Sequence, residues 1–166
     1  AGHYALAGLE KHFDVEIVTQ NIDDLHERAG STRVTHLHGQ LRKLRSSLDE
    51  QIVVPMEGWE QIHDELATDG SPLRPFVVFF GEPVPMFDRC AEICSAADIF
   101  IIAGTSLSVY PAASLVRCVG PEVPIWLVDP GDPETSGIRG RVETLRMNAA
   151  AGLPLLAEKL LSGLAH

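Results

Sequence analysis

Cysteine is scarce in this chain, with only Cys90, Cys94 and Cys118 among 166 residues. An odd set on helical ground excludes a disulfide framework and fits a reducing, cytoplasmic setting. Neither a zinc-ribbon spacing nor a thioredoxin-like pair occurs. Aromatic residues make up 6% of the chain, in keeping with ordinary core packing. Positive charge is also short, with 13 Lys and Arg against 23 Asp and Glu and a net charge of -10. A chain that acidic repels phosphate, so neither nucleic acid nor an anionic membrane is expected as a partner. No apolar run approaches the roughly 20 residues that cross a bilayer. No charged-then-apolar leader opens the chain, so no export route is expected. The chain begins at Ala1-Gly2-His3 without Met, and residues ahead of it are expected.

What is present alternates helix and short apolar strand. Tyr4, Leu6, Leu9 and Phe13 predict a helix with one buried stripe. Residues 15–19 (VEIVT) read as a buried strand, and 21–29 as a short helix capped by Asn21 and stopped by Gly30. Residues 35–38 form a brief strand ending at Gly39. Residues 40–75 change character. RKLRSSLDEQ is polar, 58–68 predicts an amphipathic helix, and Ile52, Val53, Val54, Trp59, Ile62 and Leu66 need burial. This stretch is expected to be an inserted subdomain. Then follow strand 76–80 (FVVFF), helix 85–97, strand 99–103 (IFIIA), helix 111–119, strand 125–129 (IWLVD), a weaker strand at 142–146 and a closing helix at 153–164. Alternating βα units imply an α/β fold with a mostly parallel sheet and helices on both faces.

In such sheets ligands bind beyond the carboxyl ends of the strands. Three ends here are polar: Gln20-Asn21-Ile22-Asp23, Gly104-Thr105-Ser106 and Asp129. The second can bind phosphate or ribose through backbone amides and hydroxyls, or simply cap a helix. Asp129 can accept from a ribose or adenine, or make an Asp-Pro turn. Capping accounts for Asn21 and leaves Gln20 unexplained. His36 and His38 share a face if their strand continues; two histidines can ligate a metal, but no third ligand recurs at suitable spacing. Cys90 and Cys94 lie four apart on one helix face, as buried apolar residues do.

Several segments together carry a resemblance. They are Thr19-Gln20-Asn21-Ile22-Asp23 with Leu25-His26 and Ala29-Gly30, and Leu37-His38-Gly39. Further along come Leu73-Arg74-Pro75, Val77-Val78 with Phe80-Gly81-Glu82, Pro85, and Gly104-Thr105-Ser106-Leu107 with Val109 and Pro111-Ala112. Their order and spacing, over essentially all 166 residues, resemble a bacterial-type sirtuin, the family of NAD-dependent protein lysine deacylases. The resemblance implies a Rossmann-like domain (1–39 and 76–166) with a small inserted subdomain (40–75) and NAD in the cleft between them. It makes His38 and Asn21 the catalytic residues. His38 is the base for a ribose hydroxyl after the acyl oxygen attacks C1′ and nicotinamide leaves. Gln20, Asn21, Ile22 and Asp23 would line the ribose and nicotinamide region. Gly104, Thr105 and Ser106 would hold the adenosine-side ribose and phosphate, with Asp129 and Ala149 near adenosine. Val77, Val78, Phe80, Gly81 and Glu82 would pair with an acyl-lysine peptide or protein.

Three departures from the family pattern stand out. Asp129 occupies a position where the family usually has Asn. Residues 39–81 hold no cysteine where family members usually carry four zinc ligands, so no metal is expected and apolar residues should hold the insert together. The family's Gly-rich strand-turn-helix, with its G-A-G-x-S and P-x-F-R motifs, is not among the 166 residues. A gap in the sheet and weakened phosphate recognition are therefore expected of this stretch alone, and deacylation requires that segment. The products implied are nicotinamide, free lysine and O-acyl-ADP-ribose, which spans transferase and hydrolase chemistry. Two other readings are a catalytically incomplete module that binds NAD or ADP-ribose, and an NAD glycohydrolase. No acyl-chain preference, protein target or oligomeric state is assigned.

Overall fold

Fully apolar, β-branched runs become the central strands, and the turns after them carry the polar groups. The computed structural model describes residues 1–58 and 64–164. The chain divides into two compact units. One comprises Ala1–Val18, Leu25–Thr35 and Phe87–His166; the other comprises Thr19–Asp24 and His36–Met86. The 40–75 stretch falls within the second.

In the first unit, β6 (Phe100–Ala103), β7 (Ile125–Val128) and β8 (Val142–Leu145) form a parallel sheet in that order. All four residues of β7 are buried, as a central parallel strand requires. Its Trp126 and Val128 pack with Leu153 and Leu156 of α4 (Ala149–Gly163), joined by Ala5 and Leu6 of α1 (Gly2–Leu9). Two close approaches need glycine. A Cβ on Gly152 would sit 2.5 Å from Val128 Cγ1, and one on Gly2 would sit 2.8 Å from the Ala149 carbonyl oxygen. The predicted stripe of the first helix is therefore corrected: Tyr4 is exposed and Phe13 lies beyond the helix, because small residues seat α1 against α4. The last helix begins at Ala149, four residues earlier than expected, because Asn148 caps it by accepting the Ala151 N–H at 2.9 Å. Helix α3 (Phe87–Ser95) packs against a 3-10 helix, Ala112–Cys118. Burial pushes the Cys90 thiol up to about 11 and Cys94 to about 12, as suits inert core residues.

The described strands fall into three sheets. Strands β1 (Ile17–Thr19) and β2 (Val34–His36) make a two-stranded sheet of their own. The second unit is built on antiparallel strands β4-β3-β5, with β3 (Gly39–Ser46) between β4 (Val53–Pro55) and β5 (Leu73–Val77). RKLRSSLDEQ thus supplies a strand despite its polarity, since Leu44 alone anchors it in a core with Ala67 and Leu73. Ile52 and Val54 pack on this cluster, whereas Leu66 is exposed. The predicted helix over 58–68 fails in its described part. Asp64 adopts φ 71°, which breaks a helix, and Leu66 bridges Pro72. Trp59 and Ile62 lie outside the described residues. The FVVFF strand stops at Val77, leaving Phe79 and Phe80 exposed. Among the described residues no helix is long and apolar enough to cross a membrane.

Candidate active site

The stretch after β1 is held by its own carbonyls. Asn21 N–H turns back to Thr19 Oγ1 at 3.1 Å. The carbonyl oxygens of Gln20, Asn21 and Ile22 then accept, in turn, from His38 Nδ1 (3.3 Å), His36 Nδ1 (2.8 Å) and the Leu41 amide (2.8 Å). Those commitments prevent residues 21–24 from winding into helix, so α2 spans only Leu25–Arg28 and Asn21 is not its cap. The strand carrying the histidines also ends early, at His36, and His38 stands in the turn that follows. The shared-face argument for the two rings therefore lapses, yet both reach the same segment.

A carbonyl oxygen only accepts, so the His38 ring must carry its proton on Nδ1. In the neutral ring Nε2 then holds the lone pair, as a general base requires. The ring is half-buried, that of His36 fully so, and Asn21 is exposed while Gln20, Ile22 and Asp23 are partly covered. Gly39 is what lets the chain turn from His38 into β3. It has φ 86°, and a Cβ there would fall 2.0 Å from the Phe76 carbonyl oxygen. Val78 N–H donates to the His38 carbonyl at 3.0 Å, which brings the 77–82 segment beside the histidine.

Val77 ends β5, and Phe80 and Gly81 are exposed. The Glu82 carboxylate is occupied by the chain's own groups. Arg74 grips it through both terminal nitrogens (2.6 and 3.2 Å), and it accepts the Phe79 N–H at 3.0 Å. These contacts, with Arg45 behind, hold its pKa down at about 2. Arg45 and Arg74 received no role from the sequence; the one available signal was Arg74 within the Leu73-Arg74-Pro75 motif.

In the other unit, three strand ends finish side by side. Gly104 N–H donates to the Val128 carbonyl, and Asp129 N–H to the Leu145 carbonyl. Gly104 and Asp129 therefore follow neighbouring strands, and Ala149 opens α4 just after β8. Thr105 and Ser106 do not cap a helix. Thr105 Oγ1 accepts from Leu107 N–H, Ser106 Oγ bonds Ser108 Oγ, and the 3-10 helix starts after Pro111 with no side-chain cap. Asp129 does make a turn, one carboxylate oxygen accepting from Gly131 N–H at 2.8 Å. Among the described residues no three His, Cys, Asp or Glu side chains cluster as a metal site would need.

A model of the Sir2 family matches residues 1–111. The chain belongs to the Sir2 family. It is 48% identical over 135 residues to an NAD-dependent protein deacylase of Aggregatibacter actinomycetemcomitans, covering 81% of this chain and 64% of that one. It is 43% identical over 165 residues to an NAD-dependent protein deacylase of Bacteroides thetaiotaomicron, covering 96% and 70%. The chain thus spans about two thirds of the length of these relatives. Among solved structures it is similar to a Sir2 homologue–NAD complex, with 36% identity and a TM-score of 0.82 over 98% of this chain and 65% of that one. It is also similar to a Sir2–p53 peptide–NAD+ complex, with 29% identity and a TM-score of 0.70 over 98% and 68%. The Sir2 fold of this chain is α/β and Rossmann-like, and β6-β7-β8 form its parallel sheet.

Proposed function

We propose that this Sir2 chain belongs to a cytoplasmic, NAD-dependent protein deacylase that removes acyl groups from lysine. The observation that carries the reading is the His38 Nδ1–Gln20 carbonyl bond, which leaves Nε2 free to take a proton. NAD as co-substrate supplies an electrophilic ribose carbon and nicotinamide as leaving group. The donor set suits such a ligand. The turn at Gly104, Thr105 and Ser106 offers amides and hydroxyls to a ribose and phosphate, with Asp129 and the Ala149 backbone next along the sheet edge. Gln20, Asn21, Ile22 and Asp23 orient the nicotinamide-side ribose, with Asn21 acting beside His38. The acyl oxygen would displace nicotinamide at C1′, and His38 would accept the proton of the neighbouring ribose hydroxyl as that oxygen moves onto the acyl carbon. With one water consumed, the products would be free lysine, nicotinamide and O-acyl-ADP-ribose. Residues 77–82 pair with the acyl-lysine peptide through backbone groups, which read shape more than sequence. The insert around 40–75 is proposed to work without zinc, and the three free cysteines accord with a reducing compartment.

The test is product analysis on the protein at its natural length, with NAD and an acetyl-lysine peptide. His38→Ala should lower turnover by about 10²-fold or more while NAD affinity stays within a few-fold. Unchanged turnover would remove His38 as the base. Nicotinamide release that needs no peptide would make the protein an NAD glycohydrolase, and NAD binding with no products would make it a binding module.

A further inference from the structure

The antiparallel register of the second unit sets two arginines directly opposite one another, Arg45 on β3 and Arg74 on β5. Like charges across a strand pair repel, so the arrangement needs a counter-charge. Two carboxylates supply it. Glu50 lies 2.7 Å from Arg45, and Glu82 lies 2.6 Å from Arg74 and 3.7 Å from Arg45. Arg45 is almost wholly buried, and Arg74 and Glu82 are about three-quarters covered. This cluster is therefore unlike an exposed ion pair, whose contribution is close to nothing.

Glu82 also closes a turn. Its carboxylate accepts from Phe79 N–H, its own N–H donates back to the Phe79 carbonyl at 3.0 Å, and both bonds span three residues. Arg74 braces the same turn from its other end, donating to the Val77 carbonyl at 3.2 Å and lying over the Phe79 ring at 5.0 Å. Val78, between those points, is tied by its amide to the His38 carbonyl. With the carboxylate thus engaged, Phe79 and Phe80 are turned outward and the backbone of 77–81 is held in one shape.

The geometry points to Glu82 as a positioning residue. With Arg74 and Arg45 it locks the 77–82 turn against His38, so that a bound acyl-lysine peptide meets the base in register, and its side chain does not touch that peptide. This rests on the deacylase reading above. It differs from a role for Glu82 in gripping substrate, because the carboxylate acts through Phe79 and Arg74.

Glu82→Gln keeps the shape and removes the charge. In the protein at its natural length, the KM for an acetyl-lysine peptide should rise about tenfold, with kcat within about twofold and NAD affinity unchanged. Exchange of the Phe79 amide hydrogen should quicken about tenfold in the same variant, with or without peptide. Arg74→Lys keeps the charge but not the two-pronged grip, so it should shift both readouts in the same direction by less. Unchanged KM and Phe79 exchange would overturn the assignment. So would a parallel loss of NAD affinity and kcat, which would mark Glu82 as general support for the unit. If the unaltered protein fails to deacylate the peptide while Glu82→Gln still frees the Phe79 amide, the deacylase reading falls and the lock on the turn stands.

Discussion

In the unit built on β6-β7-β8, the main core cluster is apolar: Trp126, Val128, Leu153 and Leu156, with Ile99, Ile101 and Leu160 around them. In the unit built on β4-β3-β5, the buried apolar set among the described residues narrows to Leu37, Leu44, Ala67 and Leu73, and polar atoms enter the interior. Ser46 is 1% exposed and works as a hub there. It gives its proton to Asp69 at 2.7 Å, accepts the amides of Leu48 and Asp49, and lies 2.7 Å from Ser71 Oγ. Asp69 in turn accepts the Ser71 N–H at 2.9 Å, which ties the end of β3 to the start of β5. An apolar core is forgiving, since neighbours relax into a gap. A hydrogen-bonded hub fails when one atom goes, because its partners are left unpaired.

The comparison is sharpest under substitution. Leu156→Ala removes a fully buried side chain from the larger core and should cost about 3 kcal/mol in denaturant unfolding. It should leave the amides of Leu48 and Asp49 protected in hydrogen exchange. Ser46→Ala should cost about 2 kcal/mol and do the converse, freeing those two amides while β7 stays protected. If both substitutions loosen both sets of amides equally, the two units share one cooperative structure and the contrast between them dissolves.

How far the sequence reached follows the same division. IFIIA and IWLVD are continuous apolar runs, and β6 and β7 form within one residue of the expected ends. The helix at 87–95 fell inside the expected 85–97. The polar unit was harder to read. β3 carries Arg42, Lys43 and Arg45, so its strand period is hidden, and only Leu44 marks the buried side. The segments that hold Gln20, Asn21 and His38 were visible as polar residues at strand ends, a position where local pattern is informative. The bonds that fix them were not, because His38 reaches Gln20 across 18 residues. Glu82 shows the limit most plainly. Read alone it is a free acid in a motif proposed to pair with peptide; its partner Arg45 reaches it only because β3 and β5 pair.

The smallest effect at ordinary pH, and the finest separation of the two units, lies in acid. Glu82 has its pKa lowered to about 2, first by the hydrogen bond from Arg74, and Asp69 is lowered first by that from Ser46. A carboxylate lowered on folding contributes stability that is complete above its unfolded value, near 4.5 for Glu and 3.8 for Asp. That contribution drains as pH falls through the folded value. Between about pH 5 and 8 neither group should change stability at all. As the pH falls from about 4.5 toward 2, the Arg74–Glu82 grip and the Ser46–Asp69 bond should release, and the amides of Phe79 and Ser71 should lose protection. Glu10, bonded by Thr32, and Glu134, bonded by Ser136, are lowered in the other unit, but each serves an exposed contact away from its core. The β7 amides of residues 125–128 should therefore outlast those of Phe79 and Ser71 across that window. Loss of β7 protection first would show that the apolar unit, and not the polar one, sets the acid limit of the protein.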